Sequence, residues 1–388
     1  MRILLVASAT PSSKTGVTAH YNRLLAHLAG RVDSVQLVTP EDVPSLLKKG
    51  LGVLRRLAPL FGVNGRVIWM EIENYVSIWA SVRRYRGAID VVHAQDVTSG
   101  AAAALGLNKQ VPVTVTCHFN DDPLSEYKTV YSLNDWTNRQ LLKWYQFLFK
   151  QPNSFITVSD YIKRTSAFLR PEGVVCDVIH NGVPFPSEQP RQEDDAFSVL
   201  NIGTIEARKN QRLLIETAHV LCQRGITDVK VLFVGDGHQR AELETLTLEK
   251  GLQGQVRFEG YQTNIPAYLQ RASLYVHTAV NESWGYSITE AIAAGTPVLA
   301  LETGGIPEQF DWQRAGLLPL TTTASELADA ILRYRGETER RSLAHTQLMF
   351  ARDRFSIDNM IDKHLYVYRR LCRRIVSEDA HNPAVAVS

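Results

Sequence analysis

The sequence predicts an α/β protein of two parallel-sheet domains, and three observations support this. Short apolar runs alternate with segments of helical periodicity in both halves of the chain, as in βαβ units. A polar stretch with three prolines, residues 184–195, separates the two alternations and is typical of a linker. At 388 residues and 45% hydrophobic composition, the chain can fill two cores.

Each predicted element follows from such a run. In the first half we expect strands at residues 3–7, 35–38, 91–93, 113–116, 155–158 and 174–180, with helices at 17–28 and 135–150. In the second half we expect strands at residues 198–202, 229–234, 256–258, 274–278 and 297–301, with helices at 210–224, from 239, and from Ser287. From residue 325 onward the pattern is mostly helical.

Composition narrows the class of protein. A net charge of +2 is too mild to indicate a nucleic-acid partner. The four cysteines are scattered without Cys-x-x-Cys spacing, which favours a reducing cytoplasm over a disulfide framework. The N-terminal apolar run is too short for a signal peptide, and no run of about 18 apolar residues suggests a membrane span. We therefore expect a cytoplasmic protein.

The stretch 272–309 carries the strongest functional signal. Glu282 lies in the loop after a predicted strand, at the sheet edge where ligands of parallel sheets bind. Glu290 follows eight positions later, in the first turn of the predicted helix. Ser287-x-x-Glu290 also fits a capping box, so Glu290 is either a binding residue or only a cap. Trp284-Gly285-Tyr286 in the same loop suggests close approach of the backbone to a ligand.

These residues resemble a known family. Glu282 to Glu290 resembles the Glu-x7-Glu motif of the retaining nucleotide-sugar glycosyltransferases of family 4, and residues 290–308 resemble that family too. The resemblance implies the GT-B fold, in which two Rossmann-like domains face each other across a cleft. It implies that Glu282 contacts the donor sugar and Glu290 the ribose. The backbone of Gly285, Tyr286 and Ser287 would then meet the diphosphate.

Cations and a histidine complete the implied catalytic set. Arg208 and Lys209 precede a predicted helix, where positive charge opposes the helix dipole unless an anion is bound. In the family, such a pair neutralises the diphosphate as the leaving group departs. The family often has an additional Arg at the position of Thr204. The resemblance also places His118, just past a predicted strand, beside the reacting sugar.

Four more positions follow from the resemblance alone. Gly16 ends a small-residue loop before the first helix, where the family often has two glycines and this chain has Thr15-Gly16. Gly203 falls in the donor site, and Gly235 and Asp236 fall near the nucleotide base. The sequence has no Asp-x-Asp, and its histidines do not cluster with carboxylates at metal-ligand spacing. We therefore expect no metal and no cofactor besides the nucleotide sugar.

Residues 44–61 interrupt the alternation of strands and helices with a predicted amphipathic helix. One side of this helix is basic, with Lys48, Lys49, Arg55 and Arg56. The opposite side is apolar, with Leu46, Leu47, Leu51, Val53, Leu54, Leu57, Leu60 and Phe61. The pattern fits a helix on an anionic membrane surface or an ordinary helix packed on its sheet. The first alternative implies an acceptor reached at the inner face of the cytoplasmic membrane.

The predicted organisation is an acceptor domain at 1–184, a linker at 185–196, a nucleotide-sugar domain at 197–354 and, at 355–388, a C-terminal helix that crosses back to the first domain. The predicted reaction is a hexosyl transfer with retained anomeric configuration from a UDP- or GDP-sugar to a hydroxyl of a glycan or lipid-linked acceptor, in cell-envelope glycolipid or polysaccharide synthesis. Two alternatives stay open: a sugar-nucleotide epimerase or phosphorylase of the same architecture, and a non-catalytic partner subunit.

Overall fold

The computed structural model describes residues 1–13, 15–186 and 196–380. The chain divides into two compact units, residues 1–180 with the chain from Met360 onward, and residues 181–359. Most of the predicted linker lies outside the described residues, so its boundaries stay a prediction.

Among the described residues, the first unit contains a six-stranded parallel sheet with the order β2-β1-β3-β4-β5-β6. Its strands are β1 Arg2–Val6, β2 Ser34–Val38, β3 Val91–Ala94, β4 Val113–Cys117, β5 Ser154–Thr157 and β6 Val175–Val178. Its helices are α1 Gly16–Leu28, α2 Ser45–Leu57, α3 Gly62–Val82, α4 Val97–Gly106, α5 Pro123–Val130, α6 Asp135–Leu148 and α7 Asp160–Thr165. The strand residues Ile3, Leu5, Val91 and Val113 are fully buried, as expected for a parallel sheet covered on both faces.

The second unit repeats the architecture with a six-stranded parallel sheet in the part of the chain that is described, in the order β12-β11-β10-β7-β8-β9. Its strands are β7 Ser198–Ile202, β8 Lys230–Val234, β9 Val256–Gly260, β10 Leu274–His277, β11 Val298–Leu301 and β12 Leu317–Leu318. Its helices are α8 Gln211–Gln223, α9 Arg240–Glu249, α10 Ile265–Arg271, α11 Tyr286–Ala293, α12 Ala324–Arg333 and α13 Glu337–Arg352.

The last helix, α14, spans Ile357–Ala380. From Met360 onward it belongs to the first unit, where Arg370 forms an ion pair with Asp177 of β6. The Tyr368 hydroxyl also lies 2.7 Å from Nδ1 of His93 on β3. These contacts fix the C-terminal helix on the first sheet.

Residues 44–61 form α2 followed by a 3₁₀ turn, Ala58–Phe61, rather than one helix. The apolar side of this segment is largely exposed: Leu46 is 83% exposed, Leu60 77% and Phe61 74%. Leu51 is the buried residue of α2. The prediction of a helix is confirmed, but its apolar side does not lie in the core.

Candidate active site

In each unit the strand order reverses at a point where two neighbouring loops leave the sheet in opposite directions, and such switch points form ligand sites. In the second sheet this point lies between β7 and β10. The loop after β7 carries Arg208 and Lys209, and the loop after β10 carries Glu282. Although these residues are 73 positions or more apart in the chain, the sheet topology brings them together.

The Glu282 carboxylate is the centre of this cluster. It is 6% exposed and accepts a short hydrogen bond from the Lys209 ammonium. Nη1 of Arg208 lies 3.3 Å from the same oxygen and donates at 2.9 Å to the carbonyl of Asn281. Nη2 of Arg208 donates at 2.7 Å to Glu206. Two cations thus face two carboxylates, and the cluster has no net charge.

Opposing effects determine the charge state of Glu282. Burial raises the pKa of its carboxyl, but the charge of Lys209, the nearby imidazole of His277 and the charge of Arg208 together hold that pKa well below its usual range. Glu282 is therefore ionised at neutral pH.

Backbone contacts fix the loop that carries Glu282. Its carbonyl accepts a hydrogen bond at 2.9 Å from the amide of Gly305, in the loop after β11. A Cβ on Gly304, whose φ is +55°, would lie 2.0 Å from that same carbonyl oxygen, so a larger residue cannot fit. On the β7 side, a Cβ on Gly235 would lie 2.0 Å from the carbonyl oxygen of Gly203. Gly235 is thus required by packing, whether or not it also contacts a nucleotide.

Helix α11 begins differently from the prediction. Its N-cap is Gly285, with φ +83°, and no side chain caps it. The Ser287 hydroxyl instead forms a 2.7 Å hydrogen bond with Tyr275. Glu290 lies beyond the first turn, so the Ser-x-x-Glu capping box does not form. The explanation of Glu290 as only a cap is therefore wrong.

Trp284, which the sequence suggested as part of a ligand-facing aromatic pair, is 1% exposed. Its Nε1 donates to Thr289 at 3.1 Å, and its ring packs edge-to-face on Phe355 at 4.9 Å. Trp284 is a core residue that anchors the loop. Asp236, in contrast, is exposed and accepts from the amide of Gly237 at 2.8 Å, which stabilises its own turn.

In the first unit, His118 follows β4 and lies in a cluster of imidazoles, which we call the histidine cluster: His20, His93, His118 and His364. Nε2 of His118 lies 3.2 Å from the side-chain oxygen of Gln95. Burial lowers the pKa of His118 to about 3 and that of His364 to about 4. The imidazole of His118 is therefore neutral at physiological pH. Gly16 is the first residue of α1, which Thr15 caps by accepting from the amide of Thr18.

Sequence profiles of two families match consecutive stretches of the chain, which together span residues 14–343. The profile described as Glycosyltransferase Family 4 matches residues 14–185, and the profile described as Glycosyl transferases group 1 matches residues 185–343. The chain belongs to glycosyltransferase family 4. Its two parallel-sheet units are the two Rossmann-like domains of the GT-B fold.

Curated relatives agree with this membership. The chain is 34% identical to the 2-deoxystreptamine glucosyltransferase of Streptomyces kanamyceticus, over 34% of either chain. It is 31% identical to the lipopolysaccharide core biosynthesis glycosyltransferase LpsD of Rhizobium meliloti, over 45% of this chain and 50% of that relative. The chain thus matches half or less of the length of these curated relatives.

Two solved structures share the fold across nearly the whole chain. The Anabaena protein HepE, solved with UDP and glucose, has a TM-score of 0.69 and 18% identity, over 96% of this chain and 100% of HepE. The sucrose-phosphate synthase of Thermosynechococcus elongatus has a TM-score of 0.72 and 19% identity, over 95% of this chain and 98% of that one.

The structure thus brings part of the family 4 residue set together. Arg208, Lys209 and Glu282 are in contact, and Gly203 lies beside the Lys209 side chain. His118 and Gly16 belong to the other unit. Sequence reasoning missed Glu206, Tyr275 and His277. The one signal for His277 was its place at the end of the strand that precedes the Glu-x7-Glu motif.

Proposed function

We propose that the protein is a retaining glycosyltransferase that transfers a hexose from a nucleotide diphosphate to an acceptor hydroxyl. The observation that carries this is the contact of Lys209 and Arg208 with Glu282 at the switch point of the second sheet. These are two cations and a carboxylate at the position where a family 4 member would hold the diphosphate and the donor sugar. The proposal assigns Glu290, Gly203, Gly235, Asp236 and the start of α11 to the nucleotide.

The charges of this cluster show how a diphosphate could enter it. In the structure, Glu282 and Glu206 compensate the charges of Lys209 and Arg208. A diphosphate carries more negative charge than one carboxylate, so it would draw Lys209 and Arg208 toward itself. Fixed positive charge on a departing phosphate is a large contribution to catalysis. Glu282 would then be left to accept hydrogen bonds from hydroxyls of the donor sugar.

Retention follows from a same-face route, in which the departing phosphate accepts the proton of the incoming hydroxyl. Lys209 and the N-terminus of α11 near Gly285 would stabilise that phosphate. This assignment uses cations of the chain rather than a metal ion, in line with the lack of an Asp-x-Asp motif in the sequence. His118, neutral in its buried cluster, would contact the reacting sugar as a hydrogen-bonding group rather than as a cation.

The donor nucleotide that the comparisons favour is uridine, since HepE was solved with UDP and with UDP-glucose. The acceptor class that they favour is a cell-envelope glycan, because relatives include two lipopolysaccharide core glycosyltransferases of Rhizobium meliloti. Within the described residues, no helix is both long and apolar enough to cross a bilayer.

Exposure of the α2 segment supports a membrane-bound acceptor. Its large apolar side chains face outward, and Lys48, Lys49, Arg55 and Arg56 are exposed beside them. An apolar strip flanked by cations is what an interfacial helix needs to bind anionic lipid, since each cation near the surface contributes about 1 kcal/mol. We propose that this segment lies on the inner face of the cytoplasmic membrane.

A second candidate function is a non-catalytic partner subunit. Thr15 and Thr204 stand where the family often has Gly and Arg, which removes one phosphate-binding feature from each unit. Retention of the Lys209–Glu282 pair favours the enzyme. Donor turnover, described at the end of the Discussion, separates the two candidates.

A thermal-shift panel of UDP, GDP and ADP tests the binding step. One diphosphate should raise the Tm of wild-type protein, because a ligand at 100 times its Kd adds about 2.7 kcal/mol to the free energy of unfolding. The same ligand should raise the Tm of Lys209→Ala less. Lys230 is the first residue of β8 and lies at the amino ends of the strands, away from the proposed site. Lys230→Ala should respond like wild type. If none of the three diphosphates shifts the wild-type Tm, the proposed donor class is wrong.

A further inference from the structure

Two side chains of β10 lie beneath the proposed donor site without a role in the reaction described above. Tyr275 is fully buried and His277 is 1% exposed. They are two positions apart on one strand, so both point to the same face of the sheet. Their rings are 6.1 Å apart.

These two side chains join the two ends of the site. The Tyr275 hydroxyl lies 2.7 Å from the Ser287 hydroxyl at the start of α11 and 3.0 Å from Nδ1 of His277. Nε2 of His277 lies 3.6 Å from the Glu282 carboxylate, just beyond hydrogen-bond distance. Within the described residues that nitrogen has no hydrogen-bond partner, which is unusual for a buried polar atom.

The groups around His277 keep it neutral. Burial lowers the pKa of its imidazole, and the cations Lys209 and Arg208 lower it further, against an opposing effect of Glu282. A neutral imidazole carries one N–H. The ionised Glu282 carboxylate can only accept hydrogen bonds, so the proton of the imidazole lies on Nε2, which faces that carboxylate.

We propose that His277 is a positioning residue for Glu282. When the diphosphate draws Lys209 away, Nε2–H of His277 moves within hydrogen-bond distance of the Glu282 carboxylate. This hydrogen bond then orients the carboxylate toward the hydroxyls of the donor sugar. The Tyr275 hydroxyl lies between Nδ1 of His277 and the Ser287 hydroxyl, to which it donates, beside the expected diphosphate position. The inference rests on the proposed function, since it requires a diphosphate that competes for Lys209.

A physical need supports this role. A buried carboxylate that loses its cation must gain another donor, because an uncompensated buried charge is costly. A second cation would be drawn to the diphosphate, as Lys209 is, and would leave the carboxylate without compensation. A neutral N–H donor keeps Glu282 ionised and leaves Lys209 with the phosphate.

The test compares the turnover of a nucleotide sugar, with and without acceptor, in wild-type protein and four variants. His277→Leu should lower kcat by about 10- to 100-fold, as a misplaced functional group typically does. His277→Gln keeps a neutral donor near Nε2 and should retain most of the activity. Because His277 acts through Glu282, His277→Leu combined with Glu282→Gln should be no slower than Glu282→Gln alone, within about twofold.

Multiplicative losses in the double variant would show that His277 acts independently of Glu282 and would overturn the proposal. Unchanged kcat in His277→Leu would also overturn it. If His277→Leu does not fold, His277→Asn replaces it: its shorter amide does not reach Glu282, so it must lose the activity that His277→Gln keeps. If wild-type protein is active and either of these results is obtained, the role of His277 is wrong but the proposed function stands. A wild type that neither binds a diphosphate nor turns over a donor would overturn both.

Discussion

At the scale of single residues, the carboxylate of Glu282 shows how one charge can have different partners in different states. It contacts Lys209 and Arg208 in the structure, and Nε2 of His277 lies 3.6 Å from the same carboxylate. Glu290, eight positions on, lies on α11. The proposed function gives the two carboxylates of the Glu-x7-Glu motif separable roles, with Glu282 at the donor sugar and Glu290 at the nucleotide.

Substitution of each carboxylate tests this separation. Glu290→Gln should weaken nucleoside diphosphate binding by about tenfold, because a hydrogen bond to a charged group is worth about 1.5 kcal/mol. Glu282→Gln should leave that binding equal or tighter, since it frees Lys209, and should lower kcat instead. Calorimetric titration and initial rates measure the two effects, with the exposed Glu249→Gln as control. If both variants bind the diphosphate and turn over the donor like wild type, neither carboxylate of the motif has a functional role.

The sequence could supply Glu282, Lys209 and Arg208 because a family motif marks them. It could not show that they are in contact, since this depends on the adjacency of β7 and β10 in the sheet. Tyr275 and His277 were missed because alternating buried residues of a strand have the same pattern whether they are core or support a site.

At the scale of elements, strands were predictable and helices less so. Short apolar or β-branched runs mark the strands of both sheets, and these were predicted at nearly their observed positions except β12, Leu317–Leu318, which was not predicted. Helix α3, Gly62–Val82, was missed because polar and apolar residues alternate along it without a clear stripe. The structure also showed that the apolar side of α2 is exposed, which hydrophobic periodicity alone cannot decide.

Vesicle sedimentation tests the role of α2. Wild-type protein should pellet with anionic liposomes at low salt and dissociate as salt is raised, because lipid attraction to the cations is screened. Changing Lys48, Lys49, Arg55 and Arg56 together to Ser should abolish binding. The control changes four cations of the second unit to Ser: Arg257, Arg271, Arg333 and Arg341. Wild-type protein that stays in the supernatant with excess anionic lipid would favour a soluble acceptor.

The histidine cluster joins several elements of the first unit and predicts acid sensitivity. In the unfolded chain each imidazole binds a proton below about pH 6.5, whereas burial holds the folded pKa of His118 at about 3 and of His364 at about 4. Below pH 6.5 the unfolded state therefore binds more protons. Stability is complete above that pH and falls as pH drops, by up to about 1.4 kcal/mol per pH unit for each histidine.

The Tm at pH 7.5 and at pH 5.5 measures this effect. His364→Phe removes one of the titrating groups and should show a smaller drop in Tm than wild type. His345→Gln, on the exposed side of α13, should drop like wild type. An equal Tm at both pH values in the wild type would contradict the assignment of neutral buried histidines.

At the scale of the whole molecule, the chain repeats one architecture twice, and the sequence predicted this because each half alternates strands and helices independently. Our proposal assigns the donor to the second unit and the acceptor to the first. What the sequence could not supply is the chemistry of the acceptor. No motif of the first unit encodes it, and the exposure of α2 became visible only in the structure.

The most direct test of this account is donor turnover without acceptor, measured as nucleoside diphosphate released from a panel of nucleotide sugars in the presence of EDTA. We expect wild-type protein to hydrolyse one member of the panel slowly. Lys209→Ala should be at least a hundredfold slower, since loss of a fixed charge at the leaving group costs about 3 kcal/mol. Lys230→Ala should match wild type. Release of no diphosphate by the wild type from any donor, or equal rates for Lys209→Ala and wild type, would contradict the account.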